Sequence, residues 1–110
     1  MHRFAQEVRA FLKSLPFSPA HVEDGKQLLS SSGSIGANYI EANEAVSSKD
    51  FTYRLRICRK EAKESMYWLT LIECSHDTAV LQLRQKLIDE SRQLVLIFAA
   101  ILRKISQPRY

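Results

Sequence analysis

Glu73 and His76, three residues apart, are the pair in this sequence that comes nearest to part of a metal centre. A Glu-x-x-His unit on a helix supplies one carboxylate and one imidazole to carboxylate-bridged di-metal sites in helical bundles. Such a site needs this unit twice and a glutamate from each of the other two helices. The other histidines, His2 and His21, have no acidic residue three positions before them. The sequence therefore predicts no metal site.

The candidate nucleophiles are two cysteines and a run of serines. Cys58 falls among apolar residues at helical spacing, as a small buried side chain would, and no histidine spacing forces an imidazole close to Cys74. Two cysteines are too few for a disulfide framework or a four-ligand zinc site. The serines at 30–32 and 34 lack both a G-x-S-x-G context and the lysine of a phosphate-binding loop. We predict no catalytic residues, no cofactor and no enzymatic activity.

The positive charge of the chain is its most distinctive chemical feature. There are 16 Lys+Arg against 12 Asp+Glu, a net charge of +4, which is a weaker bias than most dedicated nucleic-acid-binding domains have. The charge is concentrated between residues 49 and 60 and again after residue 80. At 100° per residue, one side of a helix would carry five basic residues together with Tyr53 and Tyr67. These candidate nucleic-acid-binding residues are Lys49, Arg56, Arg59, Lys60 and Lys63.

Two interpretations of this basic face remain open from the sequence. Its lysines and arginines could follow a phosphate backbone while the tyrosines stack on bases. Alternatively, it is a solvated helix face whose charges form i,i+4 ion pairs such as Lys60–Glu64.

Four helices are expected to carry these residues. Apolar residues at helical spacing predict helices over about 2–14, 20–45, 48–75 and 79–105. Pro16 and Pro19 end the first helix, and Ser47 can cap the third at the amide of Asp50. No segment alternates with period two for long enough to predict a strand. The sequence thus predicts one all-α domain over residues 1–110, an antiparallel four-helix bundle.

The second helix contains an unusual run of small residues. Gly33 and Gly36 each cost about 1 kcal/mol relative to alanine, so a flexible loop is an alternative here. We predict a continuous helix, because Ser30, Gly33 and Ala37 share a face that would let another helix approach closely. A leucine at Gly33 or Ala37 should then overpack that contact.

Asn38 and Glu41 lie at the edge of this small-residue face. If the neighbouring helix buries the carboxylate, it needs a partner, and an arginine or lysine of the third helix could supply one. Plain exposure to solvent is the alternative.

Two features of the sequence bear on the cellular location that we expect. Residues 1–13 are amphipathic and lack the apolar region of a signal peptide. The longest apolar run, residues 94–102, is about half the length that a membrane span requires. We expect a cytoplasmic protein without membrane contacts.

Three motifs, in order along the chain, resemble a known bacterial family. They are Gln-Leu-Leu at 27–29 with Ser-Ile-Gly-Ala-Asn-Tyr-x-Glu-Ala at 34–42, Ser-Lys-Asp-Phe at 48–51, and Ile-Cys-x-Lys-Glu-Ala-Lys-Glu-Ser-x-Tyr-Trp-Leu at 57–69. Together with residues 4–16 they resemble the "four helix bundle protein" family, relatives of proteins encoded in intervening sequences of 23S ribosomal RNA genes. The resemblance covers nearly the whole chain.

This resemblance implies a four-helix fold and a homo-oligomer, commonly a ring-shaped pentamer. Related proteins act as accessory proteins to the reverse transcriptases of diversity-generating retroelements and bind nucleic acid, whereas most members have no assigned activity. The family usually has a basic residue where this chain has Ser30. If that residue grips nucleic acid or pairs with a carboxylate, this member should do so less well.

We therefore expect a non-enzymatic, oligomeric bundle protein of the 23S rRNA intervening-sequence type whose basic face binds RNA or DNA. The alternative is an adaptor or assembly module that binds a protein partner and has no role with nucleic acid. Large apolar residues outside the core and the small-residue face are expected at helix contacts or subunit interfaces. These candidates are Gly33, Ala37, Asn38, Glu41, Tyr39, Tyr67 and Trp68.

Overall fold

The computed structural model describes residues 1–74 and 76–106. These residues form four helices and no strand: α1 (His2–Lys13), α2 (Pro19–Asn43), α3 (Ser48–Leu71) and α4 (Thr78–Ser106). α2 packs on α3, α3 packs on α4, and α1 contacts both α2 and α4. This is the neighbour pattern of a four-helix bundle with short connections and antiparallel consecutive helices. The predicted all-α four-helix fold is confirmed, and none of the helices in these residues is long and apolar enough to cross a bilayer.

Side-chain oxygens mark where three of the helices begin. Ser18 accepts a hydrogen bond from the backbone amide of His21, with Pro19 in the first turn of α2. The hydroxyl of Ser47 accepts from the amide of Asp50 at 3.1 Å, which confirms the predicted cap of α3. Asp77 accepts from the amide of Ala79 at the start of α4. Each oxygen satisfies an amide that has no partner inside its helix.

α3 ends earlier than the sequence predicts. The expected end, Ser75, lies outside the described residues, and the helix itself stops at Leu71. Ile72 has extended backbone angles, and its side chain is fully buried in the core. Its carbonyl oxygen accepts a hydrogen bond of 2.7 Å from Arg84 Nη1 of α4. Burial of Ile72 and this bond turn the chain away from the helix axis, so Glu73 and His76 do not form a helical Glu-x-x-His unit.

The core is built from one apolar stripe of each helix. Its largest fully buried side chains are Phe11, Phe98, Leu28, Ile35, Leu55, Leu69, Ile72 and Leu87. Because α1 has 12 residues and the other helices have 24 or more, α1 covers only part of the bundle. The first residue of the chain, Met1, lies against Gly36, and α2 continues beyond that point. The far end of the bundle therefore has three helices around Tyr39 and Phe98, whose ring centroids are 6.4 Å apart.

Two buried serines mark the close contact between α2 and α3. The hydroxyl oxygens of Ser31 and Ser65 are 2.9 Å apart, and each hydroxyl also lies within bonding distance of a carbonyl oxygen of its own helix. One turn further along, the thiol of Cys58 donates to the carbonyl oxygen of Ile35 at 3.5 Å. Small side chains at these positions let the two helices approach closely while their polar atoms remain satisfied.

The small residues that the sequence predicts at the contact between helices are not the ones that form it. The helix is continuous through residues 30–37, as predicted, so the loop alternative is wrong. However, Ser30 and Ala37 are exposed, and a Cβ atom added to Gly33 would meet nothing nearer than Arg9 Nη2 at 4.0 Å. Burial of Leu28 and Ile35 rotates Ser31 inward, and this turns Gly33 and Ala37 outward. Among the residues that the structure describes, Gly33 and Ala37 therefore make no tight helix contact.

Candidate nucleic-acid interface

The basic face of α3 points away from the core. Leu55, Cys58 and Ala62 on the opposite side of the helix are fully buried. Four of the five predicted residues are exposed and Arg59 is half-buried: Lys49, Arg56, Arg59, Lys60 and Lys63. The helix thus brings together the five residues that its periodicity predicts, on one continuous surface.

These five cations have no acidic partner in the part of the chain that the structure describes. The ion pairs there join Arg3 and Lys86 to Glu7, Lys26 to Glu23, Lys86 to Glu90, and Arg92 to Asp89. The predicted alternative, in which Lys60 and Glu64 pair along the helix, is therefore not formed in this single chain. Without such ion pairs, this cationic face can offer its positive charge to an anionic ligand.

The second half of α4 adds a basic residue that the sequence reasoning missed. Arg103 lines a cleft of about 400 Å³ between α3 and α4, together with Arg56 and Arg59. Its remaining walls are formed by Thr52, Ala99, Leu102, Ile105 and Ser106. Antiparallel pairing places the end of α4 beside the start of α3. The basic residues in the last turn of α4 were the signal in the sequence that could have pointed to Arg103.

Two tyrosines border the basic face. Tyr53 and Tyr67 are both mostly exposed. The guanidinium carbon of Arg54 lies 5.8 Å from the ring centroid of Tyr53, while Tyr67 packs edge-on against Trp68 with centroids 5.1 Å apart. Each ring is supported by one neighbour and still exposes aromatic surface on which a base could stack.

Comparison with known proteins places the chain in a family. Residues 1–96 match the sequence model of a family described as 23S rRNA-intervening sequence protein. The chain belongs to this family. The five basic residues of α3 lie inside the matched range, whereas Arg103 lies beyond it.

A solved structure supports the same family assignment. This chain is similar to the protein in a crystal structure, a protein of unknown function from the S23 ribosomal protein family of Bacteroides thetaiotaomicron. The two chains are 29% identical, the TM-score is 0.74, and the match covers 91% of this chain and 92% of the other. No curated protein matches the chain.

The predicted interface residues fall in three places. Gly33, Ala37 and Tyr39 line a groove of about 660 Å³ between α1 and α2. Tyr67 and Trp68 lie on α3. Glu41 is exposed, whereas Asn38 accepts a hydrogen bond of 3.1 Å from Arg54 Nη1. Arg54 of α3 therefore pairs with the amide of Asn38 instead of the Glu41 carboxylate.

Histidine, cysteine and acidic side chains also meet at the opposite end of the bundle. A cavity of about 750 Å³ is lined by residues that include His21, Asp24, Glu73, Cys74, His76 and Arg84. Within residues 1–74 and 76–106, no three or more His, Cys, Asp or Glu side chains are grouped so that they could hold a metal ion. Both ring nitrogens of His21 are already within hydrogen-bonding distance of backbone carbonyls.

Both thiols are poor nucleophiles at neutral pH. Burial raises the pKa of Cys58 to about 11, although a backbone hydrogen bond acts in the opposite direction. Burial also raises the pKa of Cys74, while the charge of Arg84 partly offsets it. Because the thiolate is the reactive form, neither cysteine has the electrostatic environment of an activated nucleophile.

Proposed function

We propose that this protein is a non-enzymatic homo-oligomer that binds RNA or DNA through the basic face of α3. The observation that carries the proposal is the set of five basic side chains on one helix face that have no acidic partner among the described residues. From Lys49 to Lys63 this face extends about 21 Å along the helix axis, which is long enough to contact several phosphates. Tyr53 and Tyr67 would add stacking on unpaired bases, so single strands are the expected ligands.

Self-association would compensate for the modest charge of one chain. A net charge of +4 is small for a nucleic-acid-binding protein, but symmetry repeats the basic face in every subunit. An exposed apolar edge supports self-association: Ile40 of α2 and Ile97 of α4, at either side of Met1, are 64% and 51% exposed. Apolar side chains of this size are typical of subunit interfaces. By resemblance to the family, the expected assembly is a ring-shaped pentamer.

The same apolar edge also favours a second candidate function. A different protein could cover Ile40 and Ile97, and the chain would then be an adaptor or assembly module. The two functions differ in their response to salt. Binding driven by phosphate contacts weakens steeply as the salt concentration rises, whereas binding through an apolar edge does not.

A charge-reversal experiment tests the proposed function. We expect Arg56→Glu with Lys60→Glu to weaken binding of fluorescent single-stranded RNA and DNA at low salt, alike across sequences. The control, Lys13→Glu with Lys26→Glu, makes the same charge change on exposed residues away from α3. Circular dichroism should show both double variants folded, since none of the four residues is in the core. Equal binding by the two double variants, or no salt dependence in the wild type, would contradict the proposal.

A further inference from the structure

The cleft between α3 and α4 concentrates three arginines. Arg56 and Arg59 are three positions apart on α3, and Arg103 comes from the end of α4, 44 positions after Arg59 in the sequence. Arg56 and Arg103 are exposed at its edge, and Arg59 is half-buried. Only the pairing of α3 with α4 brings these three residues together. The local sequence of either helix does not.

Among residues 1–74 and 76–106, no carboxylate-bearing side chain lines this cleft. Its walls consist of the three arginines, the hydroxyl-bearing Thr52 and Ser106, and the apolar Ala99, Leu102 and Ile105. The two hydroxyls already donate to backbone carbonyl oxygens, Thr52 to Ser48 at 2.8 Å and Ser106 to Arg103 at 3.0 Å. The guanidinium groups are therefore the main hydrogen-bond donors that the cleft offers to a ligand.

Three guanidinium groups around one cleft repel each other unless an anion lies between them. A guanidinium group binds two oxygens of a phosphate at once through its planar N–H groups, which a lysine cannot do. The apolar wall at Ala99, Leu102 and Ile105 displaces water from one side and so strengthens these charged contacts. The positive charge of the three arginines and the planar N–H groups of each guanidinium suit a tetrahedral oxyanion as the ligand.

We infer that this cleft holds one backbone phosphate of a bound RNA or DNA strand, with Arg56, Arg59 and Arg103 as its ligands. The inference rests on the proposed nucleic-acid function and deepens it. Arg56 and Arg59 belong to both surfaces, so the strand that enters the cleft continues over Lys60 and Lys63 along the same helix face. The cleft fixes the position of the strand, whereas the lysines supply charge along it.

Arg103→Gln and Lys104→Gln make a matched pair for the test. They are adjacent residues of the last turn of α4, both exposed, and each substitution removes one positive charge, but only Arg103 lines the cleft. We expect Arg103→Gln to weaken binding of a fluorescent single-stranded oligonucleotide about ten-fold and to reduce the salt slope by about 0.7. Lys104→Gln should leave both the affinity for the oligonucleotide and the salt slope nearly unchanged.

The outcomes separate the cleft from the proposed function. If Lys49→Gln weakens binding and Arg103→Gln behaves like Lys104→Gln, the α3 face binds nucleic acid and the cleft assignment is wrong. If the wild type binds no oligonucleotide, the proposed function fails, and the backbone-phosphate assignment fails with it. In that case, NMR spectra of the arginine side chains are compared in inorganic phosphate and in chloride at equal ionic strength. Shifts of the three arginines with phosphate alone would make the cleft a site for the free ion, and no shifts would remove the site altogether.

Discussion

The Nε2 atom of His21 in α2 lies 2.9 Å from the carbonyl oxygen of Glu73, which follows the end of α3. Its Nδ1 atom lies 2.8 Å from the carbonyl oxygen of Pro16 in the loop before α2. A carbonyl oxygen can only accept a hydrogen bond, so both bonds exist at once only when the ring carries both protons. One imidazole ring thus lies within hydrogen-bonding distance of two loops at the same end of the bundle.

This geometry predicts that His21 stabilises the end of the bundle at which these two loops meet. Each hydrogen bond joins α2 to a loop, so removing the ring should lower the free energy of unfolding. Asp24, Glu73 and Arg84 also line the cavity beside His21, with Cys74 and His76.

The measurement is chemical unfolding of the wild type and His21→Gln at neutral pH. His21→Gln should lose about 1 kcal/mol of unfolding free energy, the magnitude of one hydrogen bond. His2→Gln, on the exposed start of α1, is the control and should behave as the wild type. An unfolding free energy of His21→Gln equal to that of the wild type would contradict this role of the ring.

Glu90 on α4 predicts that the stability of the fold depends on pH. Burial is the main cause that raises the pKa of Glu90; the charge of Glu7 and a hydrogen bond with it add to the rise, while Lys86 and Arg3 oppose it. A carboxyl group with a raised pKa stabilises the fold while it is protonated and loses that contribution as the pH rises through the raised value. At pH 7 the charged Glu90 therefore costs stability.

The variant Glu90→Gln removes this cost and should raise the unfolding free energy at pH 7 by a few tenths of a kcal/mol. The gain should disappear below the ordinary pKa of a glutamate, where both chains are neutral at this position. Glu23→Gln is the control, because Glu23 is 73% exposed and its ion pair with Lys26 lies at the surface. Lower stability of Glu90→Gln at pH 7 would show that the ion pair with Lys86 dominates instead.

Gly33 should tolerate a side chain, contrary to the contact expected from the sequence. Alanine is favoured over glycine in a helix by about 1 kcal/mol, and the nearest atom to a new Cβ at this position is 4.0 Å away. Thermal unfolding of Gly33→Ala should therefore show a gain approaching that value. Gly25→Ala should gain less, because its Cβ would lie 3.4 Å from Leu12 Cδ2. A gain in unfolding stability with weaker self-association would assign Gly33 to the subunit interface.

Self-association should depend on the apolar edge at Ile97. Light scattering of the wild type at micromolar concentration should give a mass several times that of the 12.7 kDa chain. Ile97→Glu places a charge where an interface would bury it, and should shift the protein to smaller species. The control, Phe17→Glu, changes an exposed apolar residue in the loop at the other end of α1. A wild-type mass of 12.7 kDa across this range would remove the oligomer from the proposal.

The sequence determined the features that depend on a single helix. The apolar spacing of Leu28 and Ile35 predicts α2 despite its three glycines, Ser47 with Asp50 predicts the start of α3, and the wheel of α3 predicts its basic face. These features are local because 3.6 residues per turn and the capping of backbone amides involve only neighbours along the chain.

The tertiary structure decided which faces meet. Ser31 rather than Gly33 lies against α3, because the whole apolar stripe of α2 must turn toward a core that the other helices complete. Ile72 ends α3 because its burial and the hydrogen bond from Arg84 outweigh another helical turn. Arg103 joins Arg56 and Arg59 only when α4 lies antiparallel to α3. Contacts between residues this distant in sequence depend on how all four helices share one core, which the periodicity of each helix does not specify.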